Sequence, residues 1–126
     1  MRQRAIAEDE KLAKRQSILD AAQQLYLQNS RELPSVSRIA EASGLAKGTV
    51  YLYFRTKEEI FLALLDEQFH VLLQQVLDLF DAPQTSTGTL IDAFLDTYIG
   101  FLREEPSFLR LAAMTNSVIE QNLDAS

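Results

Sequence analysis

The sequence predicts an all-α protein, a three-helix helix-turn-helix head followed by a partial helical second domain. Three observations predict it. Only four glycines and three prolines punctuate the 126 residues. No strand-type alternation of apolar and polar residues persists, while apolar residues recur at three- and four-residue spacing. A small residue, Ala40, stands four positions before a glycine, Gly44, the spacing of a tight corner between two short helices.

Taken in order, residues 1–11 are polar and are expected to form a flexible arm. The first helix is expected from about Leu12 to Gln28, with Ile18, Ala22, Leu25 and Tyr26 on one stripe. Asn29 and Ser30 are suited to stop it, Asn because it tolerates a left-handed cap. Ser35 after Pro34 is the expected N-cap of the second helix, which Val36, Ile39 and Ala40 turn inward and Gly44 ends. A third short helix begins at Ala46 or Lys47 and runs to about Tyr53. Thr56 with Glu59 three residues on makes a capping box for a long fourth helix, Lys57 to about Phe80. Phe61, Leu65, Phe69, Leu72, Leu73, Val76 and Phe80 are expected on its inner face. Residues 82–89 read as a loop. Ile91, Phe94, Leu95, Tyr98, Ile99 and Leu102 give the fifth helix its inward stripe. Pro106 opens a sixth, lined by Phe108, Leu109, Leu111, Ala112, Val118 and Ile119. The organisation expected is an arm over 1–11, a head over 12–56 and a second domain over 57–126.

The composition excludes several classes of function. With no cysteine and a single histidine, His70, the chain lacks a disulfide framework, a thiol nucleophile and a conventional zinc site. It has no phosphate-cradling glycine loop. An enzyme is therefore not expected, nor a cofactor or a metal. No apolar run reaches the ~18–20 residues of a membrane span and the N-terminus is not a secretory signal, so a cytoplasmic protein without a membrane partner is expected.

The net charge is −6 with a pI near 4.7, which taken whole argues against a nucleic acid partner. Its distribution does not. Residues 1–57 hold ten Lys/Arg against six Asp/Glu, a balance of +4, and residues 58–126 hold two against twelve, a balance of −10. The first part can meet a polyanion while the second keeps the chain soluble.

The corner at Ala40–Gly44 has a physical reason at each position. Ala40 lets two helices cross closely, Gly44 supplies a positive φ, and Ile39, Leu45 and Val50 seal the small core beneath. The residues left over on the third helix are Lys47, Gly48, Thr49, Tyr51 and Tyr53. Lys, Thr and Tyr donate to phosphate oxygens and base edges, and Gly48 lets the backbone approach a duplex. Arg55 and Lys57 follow at the start of the long helix, whose first N–H groups are expected to add an anion site.

The run A-E-A-S-G-L-A-K-G-T-V-Y-L-Y-F-R-T-K-E-E-I-F, preceded by R-Q-S-I-L-D-A-A-Q-Q-L-Y, resembles the DNA-binding segment of TetR/AcrR-type transcriptional regulators over about Arg15 to Leu65. The resemblance implies that Gly48, Thr49 and Tyr51 sit on a recognition helix and that Lys47 reaches bases or phosphates. Ser35, Ser37 and Arg38 would meet phosphate or groove edges from the second helix, and Tyr53 and Lys57 would clamp phosphates. It further implies a ligand-responsive repressor, a homodimer on a near-palindromic double-stranded operator that is released by a small effector. Asn29–Ser30 stand where the family usually has a glycine. Family members usually continue well past 126 residues, so the second domain is expected to be incomplete.

The second half carries no catalytic constellation. Phe61, Phe69, Phe94, Tyr98 and Phe101 are the candidates to line an apolar effector cavity, with an ordinary bundle core as the competing reading. The function in competition with DNA binding is a helical protein-interaction module built on this Phe-rich region, which predicts a large exposed apolar patch and no affinity for DNA.

Overall fold

The computed structural model describes residues 2–29, 32–83 and 86–124. Six helices follow one another: α1 (Arg2–Gln28), α2 (Val36–Ser43), α3 (Lys47–Tyr53), α4 (Lys57–Asp81), α5 (Thr87–Glu104) and α6 (Phe108–Asp124), with no strand among the described residues. The expected all-α class holds. They fall into two compact units, Met1–Leu64 and Leu65–Ser126.

Three boundaries up to the middle of α4 differ from expectation. α1 begins at Arg2, so residues 2–11 are helical rather than an arm. The run R-Q-R-A-I-A-E-D-E-K contains no Gly or Pro and is mostly strong helix formers, and nothing interrupts it before the packed part of α1. At its other end Asn29 does not take a left-handed conformation. Its N–H bonds to Leu25 O at 3.2 Å and extends the helical pattern instead, while Ser30 lies outside the described residues. The third difference is the division into units, which falls inside α4 and not at its start.

The reason is the core of the first unit. Ile18, Leu19 and Ala22 of α1, Ile39 and Ala40 of α2, and Val50 of α3 are all buried there. The first two turns of α4 join them, with Ile60, Phe61 and Leu64 buried. The Tyr26 and Phe61 rings lie 5.5 Å apart at 56°. Enclosing an Ile or Phe side chain is worth ~1.5–3 kcal/mol, enough to bind these turns of α4 to the head.

The second unit is built on three aromatic rings. Phe108 of α6 meets Phe101 of α5 edge-on at 5.0 Å and Phe69 of α4 at 5.1 Å. Beside them the buried Gln68 donates from Nε2 to Glu105 Oε2 and Ser107 Oγ, both at 3.3 Å. Away from this knot the expected inward stripes are not enclosed. Leu73 and Phe80 on α4, Ile91, Phe94, Leu95 and Ile99 on α5, and Leu109 and Ile119 on α6 are exposed. Their apolar arcs are wider than the surface the unit's own helices cover. The Val118 side chain lies outside the described residues. α5 starts at Thr87 under a Ser86 cap, which accepts from Thr89 N at 3.2 Å and shortens the expected loop. Pro106 precedes α6 instead of opening it.

α4 is long and apolar enough to cross a bilayer by length and composition, contrary to the expectation that no segment would be. Asp66, Glu67 and His70 at its middle argue for a bundle helix, because an Asp at a bilayer centre costs ~2.5–3.5 kcal/mol.

Candidate nucleic-acid interface

The interface begins with the end of α2. Gly44 takes φ 72° and ψ 21°, its N–H bonds to Glu41 O at 3.3 Å, and the Leu45 N–H returns to Ala40 O at 3.0 Å. These are the paired bonds of a Schellman motif, and they turn the chain sharply into α3. Ser43 Oγ also donates to Ala40 O at 3.0 Å. At the other end of α2, Ser35 Oγ accepts from Arg38 N at 3.2 Å. The N-cap and the glycine corner therefore stand where the sequence places them.

α3 is anchored by one buried side chain, Val50, and the remainder of the helix is left at the surface. Lys47 and Gly48 are exposed, and a Cβ built on Gly48 would meet nothing within 4 Å. Tyr51 is 45% exposed while Thr49 and Tyr53 are half-buried, so one of the two tyrosines is packed. On α2, Ser37 and Arg38 are exposed beside Ser35. Lys57 is half-buried at the start of α4.

At that start one of the first N–H groups of α4, that of Glu59, is already taken by the cap. Thr56 Oγ1 accepts from Glu59 N at 3.2 Å, and Glu59 Oε2 accepts from Arg55 N at 2.8 Å. Arg55 lies just before the helix, and Glu58 and Glu59 make the first turn of α4 acidic, which weakens its pull on an anion. The capping box is present with its return bond shifted one residue upstream, to Arg55.

Leu52 was not among the candidates, yet it is 84% exposed, the most exposed large apolar side chain described. The signal was its place between two tyrosines in Y-L-Y. Periodicity alone assigns such a residue to a core. A second feature that the sequence reading missed is α1. Arg15 lies over the Phe54 ring at 5.3 Å, and Lys11 shares a surface cleft of about 460 Å³ with Leu52 and Tyr53.

In the second unit, Val76, Leu79 and Phe80 of α4 and Leu90, Ile91 and Phe94 of α5 line an apolar groove of about 220 Å³. Of the five expected lining residues only Phe94 is on it. Tyr98 stacks parallel to Phe94 at 6.3 Å. Phe69 and Phe101 belong to the aromatic knot around Phe108. Phe61 is enclosed in the first unit beside Tyr26, one helical segment too early to reach the groove.

Residues 18–64 match the family model described as bacterial regulatory proteins, tetR family. The chain is 36% identical over 67 residues to the fatty acid metabolism regulator protein of Bacillus subtilis, covering 53% of this chain and 34% of that one. It is 36% identical over 59 residues to the HTH-type transcriptional repressor AcnR of Corynebacterium efficiens, covering 47% and 31%. A solved TetR family transcription regulator from Marinobacter aquaeolei superposes with a TM-score of 0.64 at 26% identity, covering 88% of this chain and 55% of that one. The chain thus spans about a third of the length of the curated relatives it matches. The matched segment contains the Gly44 corner, the exposed α3 surface and the first turns of α4 that close the head. On these grounds residues 18–64 are similar to the DNA-binding segment of the bacterial tetR-family regulators, and the fold is that of the solved regulator.

Proposed function

We propose that this chain is a sequence-specific, ligand-responsive transcriptional repressor that acts in the cytoplasm as a homodimer on a near-palindromic operator. The observation that carries the reading is α3. It is a short helix fixed by Val50 and a glycine corner, with Lys47, Gly48, Tyr51 and Leu52 at the surface. Lys47 serves phosphate or a guanine edge, Tyr51 serves phosphate, and Leu52 offers an apolar contact to a thymine methyl group. Ser37 and Arg38 of α2 flank the same head. Ser35 supports it chiefly as the α2 cap, and Thr49, Tyr53 and Lys57 contribute their remaining exposed atoms to phosphates. Relatives named as a repressor and a regulator of transcription or metabolism support the reading. The effector is a small apolar molecule bound in the second unit at the groove beside Phe94. At about 220 Å³ that groove is below the ~300–1,000 Å³ usual for ligand sites, so a bound effector widens it or extends along it.

The test is selection from a random duplex pool at physiological salt. The expected result is an enriched inverted repeat that Lys47→Ala and Tyr51→Ala bind at least tenfold more weakly while unfolding at the same denaturant concentration as the parent. No enrichment by the folded chain overturns the reading.

A further inference from the structure

We infer that the first four turns of α1 form a second DNA-contacting element, a basic helical ridge that grips the phosphate backbone beside the site occupied by α3. The contact presupposes the DNA-binding reading of the head and extends it to residues before Ile18, outside the matched 18–64 segment.

Three observations carry it. The first is register. At 3.6 residues per turn, Arg4, Lys11, Lys14 and Arg15 fall within about 100° of arc on α1. Ile18 and Ala22 occupy the same arc and are fully buried against the head. One face of a continuous helix is thus apolar where it packs and cationic where it extends beyond the packing. Asp9 and Glu10 lie off that arc, and Glu8 lies at its margin.

The second is placement. Arg15 sits over the ring of Phe54, the residue that ends α3, at 5.3 Å. Lys11, one turn earlier, shares its cleft with Leu52 and Tyr53 of α3. The ridge therefore starts at the C-terminal end of the recognition helix and continues from it, with Arg4 about 16 Å along the axis from Arg15.

The third is accessibility. Arg4, Lys11 and Lys14 are exposed, and none carries an ion pair among the salt bridges found in the described residues. Four cations on one arc are complementary to a strand bearing a charge every 3.4 Å along each DNA strand. On that arc only Ala7 stands among the cations, with Leu12 and Leu52 beside Lys11, and such a face suits a phosphate backbone better than a protein groove, where charged residues are depleted at the core.

Phosphate contacts position a protein without reading sequence, which fixes the test. Binding of the full chain and of an Arg4→Ala/Lys11→Ala/Lys14→Ala variant is measured between 50 and 200 mM salt on the duplex the parent selects. Each phosphate contact contributes ~0.9 to the log–log slope, so losing three lowers the slope by about 2.7, and the parent's affinity falls about 40-fold more than the variant's over that range. The base preference of the two proteins stays the same. The Gln triple variant, which retains side-chain length, is expected to behave as the Ala variant does. A slope within about 0.5 of the parent's in both variants overturns the inference. If the parent selects no sequence, the repressor reading fails, and the same slopes on a random-sequence duplex still decide this one. Absence of parent binding to that duplex at 50 mM salt also overturns it.

Discussion

Gly44 and Gly48 stand four residues apart, and a Cβ added at either meets no heavy atom within 4 Å. Sterically the two sites are equally permissive, so backbone and partner decide what a methyl group does. Gly44 has φ 72°, where an L-residue costs ~1–2 kcal/mol, and the Schellman bonds around it fix that conformation. Gly44→Ala is expected to lower the stability of the head by about 1 kcal/mol, read as an earlier urea midpoint. Gly48 is an ordinary helical residue, and alanine there is favoured by ~0.5–1 kcal/mol. Gly48→Ala is therefore expected to raise the midpoint. If α3 brings its backbone against a duplex, the same methyl group lowers operator affinity tenfold or more. A variant that is more stable and binds as tightly as the parent would remove Gly48 from the interface.

At the scale of elements, α4 shows how local signals and long-range packing divide the work. Its start was fully legible: T-K-E-E predicts the cap, and Thr56 Oγ1 accepts from Glu59 N at 3.2 Å. Thr56→Ala is expected to cost about 1 kcal/mol of stability, and Thr56→Ser to restore most of it, in chemical denaturation followed by circular dichroism. What α4 buries was legible only in part. A stripe from Phe61 to Phe80 identifies one apolar face, but it does not say that the face serves two units, with Phe61 beside Tyr26 in one and Phe69 beside Phe108 in the other. Which neighbour a side chain meets depends on tertiary contacts that periodicity does not encode. The same limit explains Phe61 as an expected pocket residue. It also explains α1, where polar composition suggested an arm although helix propensity and an unbroken link to the packed turns favour a helix. The corner of the interface was legible because each of its residues has a local reason. Leu52 was not, because helical periodicity sends an apolar residue to the core, and its only local signal was its place between Tyr51 and Tyr53.

At the scale of the whole molecule, the charge division and the dimer proposal make one demand together. The cationic residues lie almost entirely in residues 1–57, and residues 58–126 carry twelve acids against two bases. In the proposed complex a single head presents one short helix, α3, to the groove, while the acidic second part would repel the duplex. On the homodimer proposal, affinity comes from two heads bound at once, which effective concentration supplies only when the half-sites match their spacing. In a helix-turn-helix dimer the two recognition helices enter the major groove ~34–36 Å apart, one turn of 10–10.5 base pairs. Inserting five base pairs between the halves of the selected operator moves one half-site to the opposite face of the duplex. The expected result is a fall in affinity to the level of a duplex carrying one half-site alone. Inserting ten base pairs restores the face but adds a further full turn of separation, so it is expected to recover little unless the two heads can spread. Equal affinity for the parent and five-base-pair operators would mean that each head binds independently, and the homodimeric part of the proposal would then fail while sequence recognition by α3 remained.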